Sequence, residues 1–327
     1  MNYRTLGKTG YKVSEVSLGT WQVGGRWGAD FDQKNAEAII HKAIDEGVNF
    51  IDTADVYGDG LSEKIVGAVV RSRSEEVLVA TKSGRRLNPH NAEGYNSKTI
   101  ESFIDDSLKN SGLDTLDLLQ LHCPPTSVYQ KDEVFEALDK IKEKGKIRHY
   151  GVSVEKVEEA IMAMNYSGVA TVQIIFNMFR PKPAEEFFPL AKANNVGILA
   201  RVPLASGLLS GKITKETTFA SEDHRNFNRD GKFFDKGETF SGVPLELGFA
   251  ALERVQKLFG ETLIAPQALK WVLMFDAVSC VIPGASRPSQ AEANISVSNL
   301  PDLTAAQMEE VQKIYDELLK DSIHPNW

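Results

Sequence analysis

Asp52, Tyr57, Lys82 and His122 are four polar residues that each follow closely on an apolar, β-like run. The runs are Val48-Asn49-Phe50-Ile51 before Asp52, Val77-Leu78-Val79-Ala80-Thr81 before Lys82, and Leu116-Asp117-Leu118-Leu119-Gln120-Leu121 before His122. Tyr57 comes five residues past Asp52, in Ala54-Asp55-Val56-Tyr57-Gly58. Phenol, ammonium, carboxylate and imidazole together form a proton-handling set. A phenol with an ordinary pKa of about 10 exchanges protons poorly near neutrality, but an adjacent ammonium favours phenolate and lowers that value. Lys82 is therefore expected to tune Tyr57 downward, Asp52 to hold Lys82, and His122 to donate to a carbonyl oxygen. Any one of them alone reads more readily as a strand-end residue satisfying backbone groups, and it is the four together that point to chemistry. A Schiff-base role for Lys82 would need a neutral amine, and the neighbouring Asp52 favours the ammonium.

The set acts together only if the elements bring it together. Short β-like runs lie near Val16 to Leu18, Asn49 to Asp52, Val77 to Lys82, Leu116 to Leu121, Ile147 to Val152, Thr171 to Phe176, Gly197 to Arg201 and Val278 to Ile282. Between them come stretches of helical periodicity, such as Ala36, Ile39, Ile40 and Ala43, or Phe135, Leu138 and Ile141. Gly47, Gly145 and Asn195 stand where left-handed C-caps would end three helices. Repeated βαβ units build either an open sheet or a closed barrel. The first strand leads into Gly19-Thr20-Trp21-Gln22-Val23-Gly24-Gly25, which lacks the GxGxxG spacing of a dinucleotide-binding open sheet. Eight strands then predict a (β/α)8 TIM barrel, whose strand C-termini converge on one face. Tyr3 to Leu6 and Lys12 to Ser14, flanking Gly7-Lys8-Thr9-Gly10, predict an N-terminal hairpin. Leu303 to Leu319, begun by Thr304, predicts a C-terminal helix. The long polar stretch 205–242, after the seventh strand, reads either as a mobile surface insertion or as a lid over substrate or cofactor. No linker interrupts the chain, so residues 1–327 are expected to form one domain.

Composition narrows the class. At 327 residues and 42% hydrophobic the chain can bury a large core. The two cysteines, Cys123 and Cys280, make no disulfide framework, and the first residues lack a signal peptide's apolar stretch, so a cytoplasmic location is expected. No run approaches the roughly 20 apolar residues that span a bilayer, and a net charge of -8 disfavours nucleic acid. No Cys/His cluster proposes a metal. The oligomeric state stays open.

The four residues, with Asp52-Thr53-Ala54-Asp55-Val56-Tyr57-Gly58 and Ala80-Thr81-Lys82 in that order, resemble the catalytic tetrad of the aldo-keto reductase family, and the resemblance runs nearly end to end. It implies reduction of aldehydes or ketones to alcohols with Tyr57 as general acid and NADPH as cofactor, NADH being possible, and a hairpin that plugs the barrel. It also implies cofactor residues. Ser153 and Gln173 match the positions that hold the nicotinamide carboxamide, although Val154 replaces the usual Asn. Arg201 stands where many relatives stack an aromatic. Pro203, Leu204, Gly207, Leu209, Gly211 and Lys212 fall in the pyrophosphate-covering loop. Gly284, Ser286, Arg287, Gln290 and Asn294 fall in the adenosine-phosphate site, with Gly284 replacing a common Lys and Arg287 supplying a cation nearby. Trp21, Trp27, Tyr57 and His122, with Phe227 behind them, are expected to line the mouth for a small carbonyl substrate. Polyol or sugar oxidation is the reverse reaction. The same family includes potassium-channel β subunits, so a cofactor-binding regulatory subunit is the competing class. Strand alternation would turn Cys123 away from His122.

Overall fold

The computed structural model describes residues 1–24 and 31–327. The chain opens with a hairpin in which β1 (Tyr3–Thr5) pairs antiparallel with β2 (Lys12–Ser14). Eight parallel strands follow, ordered in space as in sequence: β3 (Leu18–Gly19), β4 (Phe50–Asp52), β5 (Leu78–Ser83), β6 (Leu116–His122), β7 (Ile147–Ser153), β8 (Val169–Ile175), β9 (Gly197–Arg201) and β10 (Val278–Val281). The two edges meet through parallel bridges from Val16 to Val281 and from Gly19 to Gly284. Ser17 N–H donates to Val281 O at 2.9 Å and Gly19 N–H to Pro283 O at 3.1 Å. The sheet therefore closes into the expected barrel.

The strands are covered on both faces, which suits their near-continuous Val, Ile and Leu runs. Helix Gln33–Asp45 buries Ala36, Ile39, Ile40 and Ala43, and helix Asp132–Glu143 buries Phe135, Leu138 and Ile141, as the periodicity indicated. Gly47, Gly145 and Asn195 take φ of 93°, 76° and 51° just past their helices. The terminal helix spans Ala305–Leu318, its N-terminus closed by reciprocal bonds between Thr304 and Gln307. No helix among the described residues is long and apolar enough to cross a membrane.

Inside the barrel, Phe50, Leu78, Ala80, Leu118, Leu199 and Cys280 pack with Leu6 and Val13 of the hairpin, which seals the lower end. Side chains on a strand alternate, so residues two apart share a face. One step above this apolar layer the inward positions are Asp52, Lys82, Gln120 and Arg201, with His122 a further step above Gln120. The barrel thus sorts its interior into an apolar floor and a polar top.

The stretch 205–242 is built of short ordered turns: 3-10 turn Ala205–Ser210, helix His224–Phe227, and 3-10 turns Lys236–Glu238 and Phe240–Gly242. Asn228, fully buried, ties it internally by accepting from Phe233 and Phe234 N–H and donating to Phe234 O and Thr239 Oγ1. It reaches over the barrel mouth, where His224 lies against Trp21 with ring centroids 4.7 Å apart.

Candidate active site

Parallel registers put the expected residues side by side. Asp52 pairs with Ala80, Lys82 with Gln120, His122 with Ser153, and Ser153 with Gln173. Lys82 Nζ donates to Asp52 Oδ2 at 2.5 Å, to Thr53 O at 2.9 Å and to Tyr57 Oη at 3.3 Å. Both charged partners are almost inaccessible, Lys82 at 1% and Asp52 at 2%. The other Asp52 oxygen accepts from Gln120 Nε2 at 3.1 Å and Gln173 Nε2 at 2.8 Å. Tyr57 is carried by the turn after β4, fastened by Asp55 N–H to Lys82 O and Tyr57 N–H to Ala54 O. Gly58 ends that turn at φ 60°, and a Cβ there would collide with Gly24 O. The turn therefore needs glycine at that position.

His122 stands edge-on to the Tyr57 ring, with centroids 6.1 Å apart and planes at 81°, and its Nδ1 is buried without a partner. Burial, followed by the positive charges of Arg85 and Lys82, pushes the imidazole well below its ordinary value. The ring is therefore held in its neutral form. Although burial opposes the charge of Lys82, Asp52 and then Tyr57 hold the ammonium above its ordinary value. Tyr57 departs from the sequence expectation. Burial raises its phenol above the ordinary value, and the nearby Lys82 offsets this in part, with Asp52 acting against Lys82. Desolvation of the phenolate outweighs one ammonium that is already shared with a carboxylate.

Trp21 stacks with Tyr57, with centroids 6.3 Å apart and planes at 16°, and His224 also lies against Trp21, tilted by 40°. Phe227 lies one layer further out against Phe233 and Phe234. Trp27 lies outside the described residues.

Beside His122 is a charged node that sequence reasoning missed. Arg85, three residues past Lys82, pairs with Glu155 at 3.0 Å and more closely with Glu238. Arg201 pairs with Glu155 at 2.9 Å and Glu238 at 3.7 Å, and donates to Val154 O at 3.0 Å. The guanidinium expected to stack on a ring is thus drawn into ion pairs, although its Nε remains buried without a partner. Burial pushes Glu155 up to about 8, whereas Arg85 and Arg201 overcome burial to hold Glu238 well below the carboxylate range. Cys123 does not turn away as alternation suggested. It adopts φ 46° just past β6, and its Sγ lies 3.6 Å from Ser153 Oγ and 3.5 Å from Arg201 Nη2. Burial pushes that thiol up to about 12. Donor atoms of Cys123, Glu155 and Glu238 lie within 4.8 Å of one another. With Glu238 held as a carboxylate between Arg85 and Arg201, Glu155 pushed up by burial and a neutral thiol as the third member, the group is an ion-pair node rather than a cation site.

The remaining expected residues gather at two loops. After β9, Pro203 and Leu204 lead into left-handed turns at Ala205, Ser206, Gly207 and Gly211, and Lys212 is exposed. Ile213 Cδ1 and Arg225 Nη1 lie 3.2 and 3.6 Å from where a Gly207 Cβ would stand, and Arg225 is itself paired with Asp223 at 2.6 Å. Leu209 turns into the core and gives its N–H to Leu204 O. After β10, Asn294 Nδ2 donates to Gly284 O at 3.1 Å, and Gln290 Oε1 accepts from Ser286 N–H and Oγ–H at 3.0 Å each. Arg287 is exposed at the start of helix Pro288–Ile295. The Gln22 side chain fills the space into which a Cβ on Gly284 would project. Left-handed turns of small residues after β9, an exposed Arg287 bonded to Ser289 Oγ at the start of helix Pro288–Ile295, and an Arg201 Nε buried without a partner make a set that fits a long phosphorylated cofactor.

The missed residues differ in what could have revealed them. Gln120 shares the inward face of β6 with His122, and a glutamine inside an apolar run is a readable signal. Arg85 is close in sequence to Lys82. Glu155, Glu238 and His224 carry no local pattern.

Comparison with known proteins gives a family model described as "Aldo/keto reductase family" that matches residues 15–316. The chain is 30% identical to the Bacillus subtilis aldo-keto reductase YhdN, over all of this chain and 97% of that protein. It is 32% identical to a probable voltage-gated potassium channel subunit beta of Arabidopsis thaliana, covering 96% of each. The structure of a glycerol dehydrogenase from Gluconobacter oxydans superposes with a TM-score of 0.80 at 31% identity, covering 100% of this chain and 98% of that one.

Proposed function

The chain belongs to the aldo/keto reductase family, whose members are oxidoreductases acting on carbonyl and alcohol groups with nicotinamide cofactors, and from this we propose that it reduces aldehydes and ketones with NADPH, using Tyr57 as general acid. The observation that carries the reading is the buried Lys82 ammonium, bonded at once to Asp52 and to Tyr57 Oη. Lys82 orients the phenol and stabilises the phenolate left when the proton departs. Because burial keeps Tyr57 protonated at neutral pH, it is a donor at rest. Neutral His122 donates a hydrogen bond that places and polarises the carbonyl oxygen. A bound nicotinamide dinucleotide supplies the hydride that the carbonyl carbon accepts. Ser153, Gln173 and Arg201 would hold the nicotinamide end, the residues from Pro203 to Lys212 the pyrophosphate, and Ser286, Arg287, Gln290 and Asn294 the adenosine end.

Gln173 bonds both Asp52 and Gln120, so it joins the cofactor pocket to the tetrad. Arg287 supports the choice of NADPH, since an exposed guanidinium at a helix start suits a 2′-phosphate. The likeness to a glycerol dehydrogenase favours alcohol oxidation as the reverse reaction on the same residues. The likeness to a potassium channel subunit beta favours the regulatory reading. Following NADPH and NADH consumption against aromatic aldehydes, aliphatic aldehydes, ketones, dicarbonyls and sugars, and reduction of NADP+ against polyols, separates these readings. Cofactor binding without turnover on any of them would favour the regulatory subunit.

A further inference from the structure

Glu238 reaches Arg85 and Arg201 from the stretch 235–242, and that stretch is gripped by a side chain that follows the last 3-10 turn. Trp327, 7% exposed, follows 3-10 turn His324–Asn326. Its Nε1–H donates to Asp235 Oδ1 at 2.8 Å, and the same oxygen accepts from Gly237 N–H at 2.7 Å. The indole also lies under the Arg180 guanidinium at 4.5 Å. A Cβ on Gly237 would stand 3.0 Å from the indole, and one on Gly242, at φ 75°, would collide with it. The ring therefore fills a slot made by two glycines, a carboxylate and an arginine. Both sides of that slot lead to the charged node. Arg180 Nη2 donates to Glu155 O at 2.5 Å, and Gly237 directly precedes Glu238.

We propose that Trp327 is a positioning residue of the active site, fixing the stretch 235–242 so that Glu238 stands between Arg85 and Arg201. Glycines regain more backbone freedom than other residues when their packing is lost. Without the indole, the stretch keeps its bonds to Ser206 Oγ and Asn177 Nδ2 but loses the contact that fixes Asp235 and Gly237 ahead of Glu238, and the hold of Glu238 on Arg85 and Arg201 loosens. The charge of Glu238 acts on both His122 and Tyr57, so its placement is felt where the proton moves. The inference rests on the tetrad being the catalytic centre.

The test combines amide hydrogen exchange on the cofactor-free protein with kinetics of carbonyl reduction for wild type, Trp327→Ala, Trp327→Phe, Glu238→Gln and the Trp327→Ala/Glu238→Gln pair. Trp327→Ala should speed exchange across residues 235–242 by about tenfold or more, with the barrel strands unchanged, and Trp327→Phe should restore most of the protection. Trp327→Ala should lower kcat/KM about tenfold in the wild-type background but less than about twofold in Glu238→Gln, because the second loss acts through the first. Unchanged exchange at 235–242, faster exchange throughout the chain, or additive kinetic losses would each overturn the proposal. Exchange needs no turnover. If the wild type reduces no carbonyl, the catalytic reading fails while the exchange result still decides whether Trp327 holds the stretch.

Discussion

Replacing Lys82 by Met tests the buried pair on which the site is built. The ammonium is 1% exposed and sits 2.5 Å from an Asp52 carboxylate that is 2% exposed. At an effective dielectric of about 20, charges at that separation attract by roughly 6 to 7 kcal/mol, most of which offsets their desolvation. Removing one partner exposes the penalty, because breaking a buried pair costs about 3–5 kcal/mol. The amides of Gln120 and Gln173 still donate to Asp52 Oδ1, so the loss belongs at the lower end, about 3 kcal/mol. The Asp52→Asn/Lys82→Met protein carries no uncompensated charge and should be more stable than the sum of the single losses predicts, with a coupling of about 2 kcal/mol. Urea unfolding of the four proteins at pH 7 measures this directly. Lys82 has its folded pKa raised, so its contribution is full below the unfolded value of about 10.5 and is lost as pH rises through the folded one. A Lys82→Met protein within 1 kcal/mol of wild type, or additive single losses, would refute the reasoning.

His122→Ala should lower kcat/KM by about 10²- to 10³-fold, and the wild-type pH profile should show no limb near about 6.5, because His122 is already neutral there; a limb at that pH that disappears in the variant would contradict this. Arg287→Ala should weaken NADPH binding by about 1.5 to 3 kcal/mol while leaving NADH nearly unchanged, as read by fluorescence titration; an unchanged ratio would remove Arg287 from phosphate recognition. Burial and then the neighbouring Glu63 push Asp55 up to about 8, with both its oxygens buried and unpartnered. The folded state therefore holds a proton that the unfolded state releases above its ordinary value, so stability should fall as pH rises from about 4 to 8. Denaturant midpoints across that range should flatten in Asp55→Asn, and an unaltered slope would count against it.

Much of the architecture was legible because it rests on local signals. Each of the eight apolar runs became a barrel strand, and Gly47, Gly145 and Asn195 each stand two residues past the end of a helix, where the apolar pattern does not continue. The first strand was the least regular. Val16 belongs to a bridge that closes the barrel rather than to β3 itself, a distinction made by the last strand and invisible locally. Asp52, Lys82 and His122 were readable as a set: each alone suits a strand end satisfying backbone groups, but together, at the ends of strands bound for one barrel face, they point to a shared cleft. The node of Arg85, Glu155, Arg201 and Glu238 was not readable, since Arg85 and Glu238 are 153 residues apart and only closure of the barrel and the long segment brings them together. Tyr57 shows a different limit. Its partner was evident from sequence, but the sign of its shift depends on how much solvent the folded site excludes.

Tyr57→Phe tests the central claim most directly, since it removes one hydroxyl and keeps the ring between Trp21 and His122. Turnover should fall by at least ~10²-fold, with NADPH affinity by fluorescence titration unchanged within error. Wild-type turnover in that variant would show that the proton comes from elsewhere.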